Sequence, residues 1–150
     1  MATDLRERLE QYFTQYGDAL ASFDAERSAN MWGMPGTIVS DDFVGTLATR
    51  EEMTAGLRQS YPLYQQLGLG GVRFEILDVA ELTQRITRVK VRWLFDSADG
   101  ELLTDSSYEY LLRADEDGLH AYVSVGLDDA TKLRELAERK GVPLPARPNA

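Results

Sequence analysis

The chain predicts an α+β fold in which a curved antiparallel sheet wraps around N-terminal helices in a single domain. Three observations carry that prediction. Val89, Val91, Trp93 and Phe95 alternate with Arg88, Lys90 and Arg92 across Arg85 to Asp96, the period-two signature of a strand with one buried and one wet face. Asp99-Gly100 and Asp117-Gly118 are flanked by further alternating stretches, a strong short-range hairpin signal. Upstream, Leu5, Leu9, Tyr12, Phe13, Tyr16, Leu20 and Phe23 recur at helical spacing, which provides an apolar stripe to cover the apolar face of the sheet.

Taken in order, Asp4 with Glu7 forms an acidic capping box for a long first helix reaching Phe23. Ser22 or Asp24 caps a short second helix to about Met31, and the Gly33, Pro35 and Gly36 cluster marks a corner with Trp32 on it. Thr37 to Ser40 is a short β-branched strand, followed by Asp41-Asp42 and Phe43-Val44-Gly45. Thr49 with Glu52 caps the next helix, whose apolar positions are Met53, Leu57, Tyr61, Tyr64 and Leu67, and Pro62 kinks it or restarts it with Ser60 as a new cap. Val72 to Ala80, Arg85 to Asp96, Glu101 to Arg113 and Leu119 to Leu127 are strands, the last three a meander. Asp128 or Asp129 caps a last helix to Lys140, stopped by Gly141. Residues 1–141 thus make the domain, and 142–150 an extended proline-rich tail.

Composition excludes several function classes. The 150 residues carry a net charge of -9, which opposes nucleic acid and anionic membrane surfaces. No apolar run approaches the roughly 18 residues of a membrane span, and the charged N-terminus lacks a signal-peptide core, so a cytoplasmic location is expected. Zero cysteines and one histidine leave no thiol nucleophile and too few soft ligands for a usual zinc site, so no metal is expected. Arg88, Lys90 and Arg92 read as a cross-strand charge pattern with Glu109, and alternatively as an anion-binding patch.

The succession of long helix, short helix, strand, capped helix and antiparallel sheet, from about Leu5 to Asp128, resembles the nuclear transport factor 2-like superfamily, specifically its SnoaL-like and ketosteroid isomerase-like members. The most specific local piece is Thr37-Ile38-Val39-Ser40-Asp41-Asp42-Phe43-Val44-Gly45, similar to the strand-then-acid segment of steroid isomerases. The resemblance implies a cystatin-like cone whose mouth is a pocket, and a homodimer formed through the sheet. It also implies Asp42 as general base and a tyrosine of the first helix, Tyr16 in preference to Tyr12, as hydrogen-bond donor to a developing enolate. The second donor of those isomerases, an acid, falls near Tyr108 in this chain.

Each candidate also has a plain structural reading. Asp41 and Asp42 are ordinary turn residues, buried tyrosines are ordinary core, and His120, which shares a strand face with Tyr122 and offers a possible base, directly follows a hairpin turn. Tyr12, Trp32, Tyr64, Trp93 and Tyr108 are the expected ligand contacts, with Tyr61 and Tyr110 as further walls. No phosphate loop, Ser-His-Asp arrangement or dinucleotide fingerprint is present, and no cofactor is expected. Two functions follow from this. One is a cofactor-free isomerase, dehydratase or cyclase acting on an apolar small molecule. The other is a non-catalytic dimerisation or ligand-binding module whose interior is filled by its own side chains.

Overall fold

The computed structural model describes residues 2–144, with side chains from Asp4 onward. Four helices and six strands follow the order α1 (Ala2–Ala21), α2 (Ala25–Asn30), β1 (Trp32–Val39), β2 (Val44–Leu47), α3 (Arg50–Gln66), β3 (Leu69–Glu81), β4 (Ile86–Ser97), β5 (Leu102–Asp115), β6 (Gly118–Gly126) and α4 (Asp129–Lys140). Of the expected tail, residues 145–150 lie outside the described part.

The strands form one sheet in the order β2-β1-β6-β5-β4-β3. The meander is antiparallel throughout, with Val89 opposite Tyr110, Val91 opposite Tyr108 and Trp93 opposite Ser106. That register puts the aromatic and aliphatic positions of β4 and β5 on one face. The other face carries the charge pattern: Arg88 meets Glu109 at 3.3 Å, and Arg92 clamps Asp105 at 2.7 Å and Glu75 at 2.8 Å. The sheet is not antiparallel everywhere, because β1 lies parallel to β6.

β1 also begins earlier than its β-branched run suggests. Gly33 and Gly36 are close-approach positions inside the strand, not a corner. A Cβ on Gly33 would sit 2.2 Å from the Tyr122 ring, and one on Gly36 would sit 2.8 Å from the Trp32 indole. The register between β1 and β6 shifts between Trp32 and Thr37, which accommodates this crowded stretch.

α1 starts before Asp4, which lies in its first turn instead of capping it. Phe23 follows α1 with a left-handed φ of 55°, and Asp24 caps α2 by accepting from Arg27 N at 3.1 Å. Thr49 caps α3 by accepting from Glu52 N at 3.2 Å. Pro62 does not restart that helix: α3 continues to Gln66, and Ser60 Oγ donates back to Leu57 O at 2.8 Å within it. Arg50, in the first turn of α3, donates from Nη1 to Ala29 O and Trp32 O, tying α3 to the end of α2 and the start of β1.

The main core is built on Phe13, which is fully buried among Tyr12, Phe74, Trp93 and Tyr110 at ring separations of 5.0, 5.9, 5.9 and 5.5 Å. A second, smaller cluster of Leu67, Leu103, Leu136 and Ala137 lies under α4, where Arg139 donates to Leu103 O at 2.8 Å. None of the described helices is long and apolar enough to cross a membrane.

Candidate functional site

The sheet curls round α1 and leaves a cavity of about 270 Å³ between its inner face, the end of α1 and one side of α3. α1 contributes Tyr16 and Leu20, β1 contributes Trp32 and Ile38, and α3 contributes Met53, Leu57, Tyr61 and Tyr64. The sheet adds Trp93, Phe95, Tyr108, Tyr110 and Ser124, and α4 adds Asp129. Phe23 completes the wall, its ring against Tyr61 at 5.3 Å. The left-handed backbone that aims Phe23 there disfavours any residue with a Cβ, so this position exchanges local strain for a wall residue.

The polar groups of the cavity are arranged in pairs. Trp32 Nε1 donates to the Tyr16 hydroxyl oxygen at 3.0 Å, and Trp93 Nε1 donates to the Tyr110 hydroxyl oxygen at 2.7 Å. Indole is a donor only, so each tyrosine is left with its own O–H to give. Burial pushes the Tyr16 hydroxyl up to about 12, with the bond from Trp32 pulling the other way. Burial likewise holds Tyr110 and Tyr108 well above the usual phenol value, with Asp129 among the charges that add to it. These groups therefore stay protonated and act as donors at neutral pH.

The carboxylate at this cavity is Asp129. Asp128 occupies the N-cap position of α4 but turns its side chain away, accepting from Ser107 N at 2.8 Å. Asp129, the next residue, folds over Gly126: a Cβ built on that glycine would sit 2.4 Å from Asp129 Oδ1. Gly126 faces Tyr108 across the ladder, so the half-buried carboxylate lies beside the tyrosine cluster. The sequence held one signal for this. Two adjacent aspartates stand at the start of the helix, and only one of them can occupy its N-cap position.

The expected site residues divide accordingly. Tyr16, Trp32, Tyr64, Trp93 and Tyr108 line the cavity, as do Tyr61 and Tyr110. Tyr12 does not: its hydroxyl donates to Met31 O at 2.6 Å and ties α1 to the end of α2. Asp42 is also elsewhere. It sits on the exposed bend between β1 and β2, where Ser40 N donates to Phe43 O at 2.8 Å and the turn carries both acids into solvent. His120 and Tyr122 lie away from the cavity, bound to Asp115 at 2.9 and 2.7 Å.

Among the described residues, one group, Asp115, Asp117 and His120, brings potential ligand atoms within 4.8 Å of one another. Arg113 and Arg85 already lie on Asp115 at 2.7 and 3.5 Å, and their positive charges oppose a cation there.

The comparisons with known proteins bear on the fold. The family model described as NTF2-like protein (DUF6841) matches residues 6–128. The chain belongs to this NTF2-like family. No curated protein matches the NTF2-like chain. Its architecture is shared with an NTF2-like protein of unknown function from Shewanella oneidensis MR-1, at 17% identity and a TM-score of 0.65, covering 85% of this chain and 100% of that one. An NTF2-like protein with a cystatin-like fold from Novosphingobium aromaticivorans is similar at 16% identity and a TM-score of 0.61, covering 87% of each chain. A ketosteroid isomerase-like protein from Erwinia carotovora atroseptica is similar at 15% identity and a TM-score of 0.57, covering 81% of this chain and 93% of that one. At these identities the likeness shows the cystatin-like cone of the NTF2-like fold and nothing finer.

Proposed function

We propose that this protein binds an apolar small molecule bearing a carbonyl or phenolic oxygen, and that it moves a proton on that molecule without a cofactor. The observation that carries the reading is the pair of indole-to-phenol bonds. Two tyrosine hydroxyls, each accepting from a buried tryptophan and carrying its own O–H, line a mostly apolar cavity of about 270 Å³. Such donors stabilise negative charge that develops on a ligand oxygen, and do so most strongly where water is excluded.

Asp129 is the base in this reading. Its carboxylate takes a proton from the carbon next to the carbonyl, and the electron pair moves onto the oxygen held by Tyr16 and Tyr110. The same carboxylate then returns the proton to the same carbon or to a conjugated one, so that no net oxidation occurs. The ketosteroid isomerase-like relative is consistent with such chemistry in its name only. Asp42 has no part in this reading, since its place on an exposed bend keeps it from the cavity.

The test is deuterium exchange into 2-tetralone, a compact bicyclic ketone with acidic hydrogens beside its carbonyl, followed by proton NMR. The protein is expected to accelerate exchange, Asp129→Asn to slow it by about 10² to 10⁴, and Tyr16→Phe by about 10² to 10³. Saturable binding with no acceleration in any form would leave a ligand-binding protein and remove the catalytic step. No binding at all would remove the reading.

A homodimer through the outer sheet face belongs to the same proposal. It is supported by Val39, Val44, Val123 and Val125, which share that face, with Val44 70% exposed. Light scattering across a dilution series tests it, and a monomer at every concentration would overturn it.

A further inference from the structure

A second void lies between β2 and α3, a groove of about 400 Å³ lined by Phe43, Leu47 and Gly56 on its outer side. Ile38, Met53, Leu57 and Ser60 line both this groove and the tyrosine-lined cavity. The two spaces are therefore neighbours that share these four residues as a common wall. Of the four, Met53 is fully buried and unbranched, a side chain that moves aside at low cost.

The groove is apolar by construction. Ser60 spends its hydroxyl proton on Leu57 O within its own helix. Thr46 pairs its hydroxyl with Thr37 Oγ1 at 3.2 Å across the strand pair. Two glycines make the room. A Cβ at Gly45 would meet the Phe43 ring at 2.6 Å, so that ring folds flat over the strand and forms a wall. Gly56 sits on the groove side of α3, and a Cβ there meets nothing within 4 Å. A glycine in the interior of a helix, with space in front of it, leaves open volume where any other residue would fill it.

We infer that the groove is a second compartment of the same site and takes an unbranched aliphatic tail of the ligand whose oxygen-bearing head lies against Tyr16 and Tyr110. The inference rests on the proposed function for the head. It adds the substrate class: an elongated molecule, part ring or carbonyl and part alkyl chain, with the Met53 thioether at the junction. Gly56 and Phe43 then set the permitted length and breadth of the tail.

The test uses two probes on the full chain, 4-ethylphenol and 4-octylphenol, titrated calorimetrically. A phenol suits the two tyrosine donors, and the probes differ only in tail length. Each methylene that enters an apolar groove is worth about fourfold in affinity, so 4-octylphenol is expected to bind more tightly by about 100-fold or more. Gly56→Trp fills the groove from a position on α3 that does not itself line the cavity, and Gly56→Leu does so less severely. Both are expected to shrink the advantage of the octyl probe to under about tenfold while leaving 4-ethylphenol within about twofold of the wild type.

Equal affinity of the two probes for the wild-type protein would overturn the tail compartment. So would an octyl advantage that survives both Gly56 variants, with Gly56→Leu deciding should Gly56→Trp fail to fold. Failure of both probes to bind would instead strike at the tyrosine-lined head site, and the compartment would fall with it.

Discussion

The indole of Trp32 stands 3.0 Å from the Tyr16 hydroxyl and donates to it. That single bond couples the first strand to the first helix and opposes the rise that burial imposes on Tyr16. Trp32→Phe deletes the donor while retaining most of the ring. Tyr16 is then expected to ionise at still higher pH, and the protein to lose about 1 to 3 kcal/mol because a buried oxygen has lost its partner. Tyrosinate absorbance against pH checks the first outcome and urea unfolding the second.

The buried tyrosines predict alkaline instability with a definite sign. Tyr16 lies at about 12 in the folded chain against an ordinary 10.0, and Tyr12, Tyr108 and Tyr110 are raised well above that value. The unfolded chain therefore gives up these protons first. Their contribution is complete below about pH 10 and is lost as pH rises towards and through 12. Tyr16 alone accounts for about 3 kcal/mol at two units of displacement. Unfolding midpoints by circular dichroism should fall steeply over this window, with tyrosinate absorbance appearing in step with the loss of structure. Ionisation of all the tyrosines before unfolding would contradict it.

On the acid side the sign reverses. The Arg73 guanidinium, bonded to Asp96 at 2.6 and 2.9 Å, holds that carboxyl below its ordinary 3.8, and Arg92 does the same for Asp105. Burial pushes Asp115 up, but bonds from Tyr122, His120 and Arg113 outweigh it and leave the group lowered. The stability these three supply is present above about pH 4 and drains away as pH falls through the lowered values. Arg73→Gln should therefore lower stability at pH 7 and flatten its fall with acid, the variant and the wild type converging below the lowered values, read by urea unfolding at a series of pH values.

Gly126 controls the carboxylate without touching ligand. Gly126→Ala places a methyl group about 2.4 Å from Asp129 Oδ1, so the side chain has to swing away. Exchange into 2-tetralone should drop nearly as far as in Asp129→Asn, while affinity for 4-ethylphenol, held by the tyrosines, stays near the wild type. A full rate in Gly126→Ala would mean that the position of Asp129 is unimportant.

Phe13 tests the core. It is fully buried with four aromatic neighbours, and Phe13→Ala should cost about 3 to 5 kcal/mol, measurable by chemical denaturation.

The parts of this architecture that follow from local patterning were legible in the sequence. The alternation around Trp93 and the Thr49 cap on Glu52 N each depend on residues a few positions apart, and each is present in the folded chain. Features that depend on distant partners were not. Gly33 and Gly36 look like loop punctuation until the Tyr122 ring and the Trp32 indole are seen occupying the space of their missing side chains. The parallel pairing of β1 with β6 joins segments some ninety residues apart, with no local signature.

At the site, the tyrosines could be read from their place on apolar stripes, but not which hydroxyls keep a proton to give. That depends on which indoles reach them. In sequence, Asp42 was the acid to which the resemblance pointed and Asp129 only a possible helix cap. What separates them is a tight turn that exposes one and a glycine that seats the other.

The Arg50 guanidinium has a consequence for the tyrosine-lined cavity. By gripping Trp32 O and Ala29 O from the first turn of α3, it makes the helix and the indole-bearing strand one mechanical piece. The same strand residue reaches inward with its indole to the Tyr16 hydroxyl, so one guanidinium seats both α3 and the donor that holds Tyr16. The placing of the helix and the bearing of the phenol are thus fixed by a single cation.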